Sequence, residues 1–288
     1  MVGKNQSTGT RPHRSPSAVG IIGYGAIGQV VADAITGGRA GNTTLAAIMC
    51  RDREKDRGPG KRAVENPNVV FTDNPELFFE TPADIIIEAA GQDALRKFGK
   101  RVLEDGSDLL VTSIGAFTDS DFFQELIRSA EYNDARLLLA SGALPGVDWM
   151  SAAGLSEITT VEITQTKPVN SWRNTPAEAM LNLDEVTDAI CFFQGTARQA
   201  ASRFPKSSNI TAMLALSTAG MDRTEVKLVA DPTRKQMCTL IRFEGVAGKL
   251  LIEWHGVPSI LNPSTSADVP LAVIKAIRNL TSTVCYGV

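Results

Sequence analysis

Residues 18–32 read A-V-G-I-I-G-Y-G-A-I-G-Q-V-V-A. A short apolar run, Val19 to Ile22, leads into Gly23-Tyr24-Gly25-Ala26-Ile27-Gly28, and an apolar helical pattern follows. This is G-x-G-x-x-G with a strand before it and a helix after it, the context in which the motif carries information. Gly23 permits the tight turn, Gly25 lets the backbone approach a pyrophosphate, and Gly28 lets the helix sit close on the strand. The free amides of the first helical turn, at Ala26 and Ile27, then supply partial positive charge to phosphate. The stretch predicts a dinucleotide site. Its alternative reading is a structural glycine-rich turn.

Outward from this turn, the chain alternates strand and helix. Thr44–Met49 reads as a second strand, and Pro67–Thr72 contains a short third one. Asp84–Ala90 (D-I-I-I-E-A-A) is apolar on both faces, the pattern of a buried parallel strand. Helices are expected over Ala94–Glu104 and Asp121–Tyr132, and strands over Asp108–Thr112 and Arg136–Ala140. Such alternation predicts an α/β Rossmann fold, a doubly wound parallel sheet. Beyond Pro145 the texture changes. A helical stretch, Val147–Ala153, precedes period-two runs at 159–166, 190–193, 225–230, 239–243 and 249–254, with helices expected at 196–204 and 210–219. This predicts an α+β domain with a mixed sheet, wet on one face. A last helix over 266–279 is placed to pack back on the first domain. The expected division is a disordered N-terminal arm at 1–16, a nucleotide-binding domain at 17–145 plus 264–288, and a substrate and dimerisation domain at 146–263.

Composition narrows the function classes. The chain has 288 residues, 43% hydrophobic and 21% charged, with a net charge of −3. No basic block lies outside the first 16 residues, so no nucleic-acid surface is expected. No apolar run approaches the ~20 residues of a membrane span. The arm is basic and lacks an apolar core, which speaks against a secretory signal and leaves a transit peptide as an alternative. Cys50, Cys191, Cys238 and Cys285 are far apart and form no C-x-x-C pair. Their spacing suggests neither a zinc motif nor a disulfide framework, and fits a reducing, cytoplasmic setting. No metal site is read from the sequence.

The tip of the second strand selects the cofactor. A carboxylate there would hold the ribose 2′-hydroxyl of NAD, and arginine would accommodate the 2′-phosphate of NADP. The sequence runs Cys50-Arg51-Asp52-Arg53. Arg51 and Arg53 favour NADP by bidentate pairing; Asp52 is the competing signal for NAD. Both arginines also read as solvated loop charges.

Several motifs together are similar to those of the L-aspartate dehydrogenase family. They are G-Y-G-A-I-G at 23–28, I-I-E-A-A-G-Q at 86–92, S-I-G-A at 113–116, S-G-A-L-P-G-V-D at 141–148, T-K-P-V-N-S-W-R-N-T-P at 166–176, F-P-K-S-S-N at 204–209, D-R-T-E-V-K-L-V-A-D-P at 222–232 and N-P-S-T-S at 262–266. The resemblance spans 18–288. It implies oxidation of L-aspartate at its α-carbon by NAD(P)+ to iminosuccinate, which water converts to oxaloacetate and ammonia, or the reverse. It implies that Ala143 and Asn209 flank the nicotinamide, with Ala90 and Ser113 on the neighbouring loops, and that the chain forms a homodimer.

The departures from the family pattern fall in the second half. The family's catalytic histidine, in a pattern N-x-H, has Thr239 in its place, and Met237 stands at the asparagine. The lysine of N-P-K-T-S is Ser264, and an asparagine of P-K-N-x-N is Ser207. Hydride transfer needs positioning and a polarised C–N bond, whereas the water step needs proton transfer. A threonine hydroxyl, with a pKa far from neutral, replaces histidine poorly there. Three candidates remain for chemistry: Thr239 itself; Lys167, a point charge suited to a carboxylate; and His255, whose alternative reading is a wet strand-end side chain. Trp172 and Arg173 are candidate pocket residues, and Asp231 a candidate to order the loop after it. The readings left open are an aspartate dehydrogenase-like enzyme, an imine reductase acting on a different, preformed imine, and a catalytically silent nucleotide-binding protein.

Overall fold

The computed structural model describes residues 15–56, 65–263 and 265–287. The expected arm, His13 included, therefore lies outside the described residues except for its last two positions, and so does Ser264.

Two sheets organise the chain. The first is built from β1 (Ser17–Ile22), β2 (Thr43–Met49), β3 (Val70–Thr72), β4 (Ile85–Glu88), β5 (Asp108–Val111) and β6 (Leu137–Leu139), in the spatial order β3-β2-β1-β4-β5-β6. Every pairing in it is parallel. That is the doubly wound order, and its direction of winding reverses between β1 and β4. β4 is buried along its whole length.

Helices α1 (Ala26–Thr36), α2 (Arg53–Asp56), α3 (Pro75–Phe79), α4 (Gln92–Glu104) and α5 (Ser120–Tyr132) connect these strands. One face of the sheet packs on α1, whose Val31, Ala32 and Ile35 are buried with Val19, Ile21 and Ile48. The C-terminal helix α9 (Val269–Thr281) adds Val273, Ile274 and Ile277 to that same core. The return of the last helix is thus a packing fact: an apolar stripe at helical spacing finds its cover on α1.

The second sheet contains β7 (Ile158–Pro168), β8 (Ile190–Thr196), β9 (Glu225–Asp231), β10 (Cys238–Gly245) and β11 (Gly248–His255), ordered β11-β10-β7-β9-β8. It is mixed: β7 and β9 are parallel, and the other neighbours are antiparallel. Its inner face carries Val161, Ile163, Phe193, Val226, Leu228, Ile241 and Phe243, buried with α6 (Val147–Ala153), α7 (Ala197–Arg203) and α8 (Asn209–Ser217). The outer face is wet, with ion pairs such as Lys227–Glu162 at 2.6 Å. The inner core continues into the first sheet through Leu95, Leu109, Phe117 and Leu126, so the two halves share one apolar interior.

Candidate functional site

The Gly23–Gly28 turn has the geometry its sequence requires. Gly23 adopts φ +103°, and a Cβ there would lie 2.6 Å from the carbonyl oxygen of Ala89. A Cβ on Gly28 would lie 2.0 Å from the carbonyl oxygen of Gly23. Gly25 differs: nothing lies within 4 Å of a Cβ placed on it. Two glycines thus allow close packing of backbone, and the third keeps a space open. Gly25 is the N-cap of α1, no side chain caps the helix, and its first turn holds no acidic residue. The amides at Ala26 and Ile27 consequently face the opening with their dipole unneutralised.

That opening belongs to a cleft of about 870 Å³ at the point where the winding reverses. Gly23, Gly25, Ala26, Ile27, Ala90 and Arg51 line it. Gly91, with φ +111° and open space around its Cα, lies on the facing loop. Asn262 and Thr265 close the cleft from the C-terminal side. The size matches cofactor sites in general, and the glycine cradle with exposed helix amides fits a dinucleotide pyrophosphate. Arg53 is not among the cleft residues; it starts the short helix α2 and is exposed. Asp52 lines the cleft but accepts the Glu54 N–H on Oδ1 at 3.1 Å.

Glu88, a site residue that sequence reasoning passed over, holds the floor of this cleft. It sits at the end of β4, opposite Ile22 of β1, and is 1% exposed. Its Oε1 accepts the N–H groups of Ala90 and Gly91, both at 2.8 Å, and the Ser113 hydroxyl at 3.0 Å. Its Oε2 accepts the Ser113 N–H at 3.1 Å. Burial pushes this carboxyl above its ordinary value, and the four donors pull it back. A carboxylate inside an apolar strand was the available signal. Ser113 is committed to Glu88 through both its donors, so its part at the cleft is to fix the loops. Removing the carboxylate in Glu88→Ala orphans three amides, that of Ser113 buried and those of Ala90 and Gly91 part-buried. Urea unfolding is expected to show a loss of about 3 kcal/mol, together with weaker cofactor binding. An unchanged midpoint would contradict this reading.

The second half of the chain meets the loops of the first sheet at Gly115; Gly115, Ser113, Ala143 and Asn209 are not among the residues lining the cleft. Asn209, the first residue of α8, accepts the Gly115 N–H on Oδ1 at 2.9 Å. With its oxygen turned to Gly115, Asn209 also carries an amide NH2 that can donate. A Cβ on Gly115 would lie 2.1 Å from Ser208 Oγ and 2.6 Å from Gln92 Nε2. The S-I-G-A and K-S-S-N segments are therefore in close contact, and glycine is what permits it. Ala143 follows β6 in the turn Ser141–Leu144, at the same carboxyl edge of the sheet as Gly115.

Three polar side chains share the inner face of the second sheet next to this junction. Gln165 and Thr239 are directly paired across β7 and β10, and Lys167 lies two residues on from Gln165, on the same face. Gln165 Nε2 donates to Thr211 Oγ1 at 2.8 Å. Lys167 Nζ donates to Ser207 Oγ at 2.8 Å and lies 4.8 Å from the centre of the Trp172 ring. Burial brings the Lys167 pKa down from 10.5 to about 8. Thr239 is fully buried, and its Oγ1 has no hydrogen-bond partner. Trp254 Nε1, on the β11 residue paired with Thr239, and the Ser266 and Asp268 oxygens Oγ and Oδ1 are likewise buried without partners. Native interiors satisfy most such atoms; with Gln165 and Lys167, Thr239 makes a polar patch on an otherwise apolar sheet face.

His255 is not brought there. It pairs across the strands with Cys238, while Thr239 pairs with Trp254. Neighbours along a strand point to opposite faces, so His255 stands on the outer face, its Nε2 2.9 Å from Glu253 Oε1. Trp172 is 1% exposed, donates to the Val229 carbonyl at 3.1 Å and supports Lys167 from below. Arg173 pairs with Asp184 at the surface. Asp231 orders its turn, accepting the Thr233 hydroxyl at 2.7 Å and N–H at 2.8 Å, bonds that hold its carboxyl below the usual range.

A parallel sheet in this order, with an open glycine cradle at its reversal point, is a dinucleotide-binding fold, and its relatives make the protein an NAD(P)-dependent oxidoreductase. The comparisons make this specific. Residues 23–140 match the family described as homoserine dehydrogenase, NAD binding domain, and residues 148–280 match aspartate dehydrogenase, C-terminal. The chain is 35% identical over 265 residues to L-aspartate dehydrogenase of Brucella anthropi, covering 91% of this chain and 96% of that one. It is 42% identical over 196 residues to L-aspartate dehydrogenase of Acinetobacter baylyi, covering 68% and 74%. The crystal structure of aspartate dehydrogenase from Thermotoga maritima shares the fold, with TM-score 0.70 at 21% identity, covering 94% and 99%. The chain belongs to the aspartate dehydrogenase family.

Proposed function

We propose that this chain is an L-aspartate dehydrogenase-like enzyme acting on the C–N bond of an amino acid. L-aspartate would pass to iminosuccinate and then to oxaloacetate and ammonia, or the reverse. The observation that carries the reading is the Lys167 ammonium, held by Ser207 Oγ at 2.8 Å on the sheet face beside the Asn209–Gly115 junction. A lysine there grips a substrate carboxylate while Asn209 and Ala143 flank the nicotinamide. The bound cofactor supplies the hydride acceptor. The protein's residues supply orientation and exclude water. The test is a steady-state comparison of L-aspartate with other amino acids in the presence of NAD(P)+. A preference for L-aspartate supports the reading, and equal inactivity with all of them overturns it.

Thr239 favours a second reading, reduction of a different, preformed imine. Its unpartnered hydroxyl can donate a hydrogen bond to substrate nitrogen, but it cannot take a proton at neutral pH. Faster turnover of cyclic imines than of oxaloacetate with ammonia would select that reading.

NADP is the favoured cofactor, on the strength of Arg51 at the cleft. Charge-assisted bonds to a 2′-phosphate are worth about 1.5–3 kcal/mol. Arg51→Ala should therefore weaken NADPH binding roughly 10- to 100-fold and leave NADH nearly unchanged. Equal losses for both would count against this preference. The proposed division is 17–145 plus 264–288 and 146–263, and the packing of α9 on α1 supports the return of the last segment to the first unit. No helix among the described residues is long and apolar enough to cross a membrane. A homodimer in the cytoplasm is the expected state; sedimentation as a monomer would remove the dimer.

A further inference from the structure

The outer face of β10–β11 gathers a donor set that the linear spacing of its residues hides. Cys238 and His255 are directly paired across the two strands, and Glu253 lies two residues before His255 on the same face. Cys238 Sγ is 3.8 Å from Glu253 Oε1, His255 Nε2 is 2.9 Å from the same oxygen, and the three ligand atoms all lie within 4.8 Å of one another. We propose that Cys238, Glu253 and His255 form a site for a borderline-soft divalent cation, Zn2+, with solvent in the fourth position.

The donors suit that ion. Thiolate, imidazole and carboxylate bind zinc at about 2.3, 2.0–2.1 and 2.0–2.2 Å. A tetrahedron of such bonds separates its donors by roughly 3.3–3.6 Å, and the separations here bracket that range. The strand register places the three residues on one face, so side-chain rotation is the movement that closing the set calls for. Access is open: the Glu253 and His255 side chains are 56% and 52% exposed, whereas Cys238 anchors the site from a buried position. Burial and the Glu253 carboxylate push the Cys238 thiol up, and Arg234, held by Asp231 at 3.5 Å, acts the other way. Zinc binding converts the thiol to thiolate and releases one proton to solvent, with no change of oxidation state.

Position gives the site a consequence. The two bridged strands carry Thr239 and Trp254 on their other face. A metal clamped across Cys238 and His255 pins the rim of the polar site from behind without touching substrate.

The test uses the full chain, reduced, titrated with Co2+. One equivalent should develop tetrahedral visible bands and a thiolate-to-cobalt charge-transfer band, both bleached by Zn2+, which binds such sites more tightly. Cys238→Ser should remove the charge-transfer band, and His255→Ala should weaken binding more than about tenfold. The double variant Cys191→Ser, Cys285→Ser and the variant His13→Ala should leave the spectrum intact. Far-ultraviolet circular dichroism verifies that each variant is folded. Absence of a thiolate band at excess Co2+, or its persistence in folded Cys238→Ser, overturns the proposal.

Discussion

Lys167→Met is expected to raise the KM for L-aspartate about 100-fold, the equivalent of losing one or two charge-assisted hydrogen bonds in a partly desolvated site, while cofactor affinity stays the same. The pH dependence follows from the lowered pKa of Lys167, about 8. The gripping form is the ammonium, which is full below pH 8 and depleted above it. KM in the unaltered protein should therefore rise as pH increases through about 8. In the variant, KM should already be high and should lack that limb. Stability runs the other way. Below pH 8 the folded protein keeps a charge where burial disfavours it. The unfolded chain, titrating near 10.5, carries no such penalty, so stability should rise between pH 8 and 10.5. Methionine removes the charge at similar length and should raise the midpoint of thermal unfolding by a few degrees. A variant that lost stability and kept its KM would show Lys167 to be structural.

Gly23→Ala should abolish cofactor binding at micromolar concentrations. The new Cβ meets the Ala89 carbonyl oxygen at 2.6 Å and Ala90 Cβ at 2.8 Å, and the residue must keep φ +103°. Neither contact is the end of a flexible side chain, so the turn itself has to move. Positive-φ strain alone costs about 1–3 kcal/mol. The displaced amides of α1 then lose the pyrophosphate, for a combined fall of about 100-fold or more in NAD(P)H affinity. Quenching or enhancement of reduced-nicotinamide fluorescence measures it. Gly25→Ala is the informative companion. Its Cβ meets no protein atom within 4 Å, so it should fold normally and weaken binding by intruding only on the ligand. If both variants bound cofactor as the parent does, the cleft at the reversal point would not be the cofactor site.

Much of the fold is legible in the amino-acid sequence, and the reasons are physical. Strand, glycine turn and helix at 18–32 obey local rules, so the dinucleotide cradle can be read residue by residue. The period-two runs after Pro145 locate all five strands of the second sheet to within a few residues. Register is not legible in this way. Whether His255 stands beside Thr239 or behind it depends on a pairing of one residue, Cys238 with His255 against Thr239 with Trp254. That single register separates two roles, the one turned toward the polar site and the other toward an outward donor cluster. Long-range contacts are hidden for the same reason. Glu88 bonds Ser113 across 25 residues, and Asn209 reaches Gly115 across 94. A closer reading of I-I-E-A-A would have singled out Glu88, since a carboxylate in a doubly covered strand demands partners. By contrast, Trp254, Ser266 and Asp268 offer no such signal. They matter only because folding buries their polar atoms without partners.

In the proposed reaction, hydride passes between the α-carbon of L-aspartate and the nicotinamide of a cofactor whose pyrophosphate rests on the Gly23–Gly28 turn. The most direct test of this transfer is L-aspartate deuterated at Cα, incubated with the protein and NADP+, with the reduced cofactor recovered and analysed by mass spectrometry. The expected product is reduced cofactor carrying one deuterium on the nicotinamide ring, formed at a rate slowed by the label. Unlabelled reduced cofactor, or none at all from a protein that still reduces cyclic imines with NADPH, would contradict it.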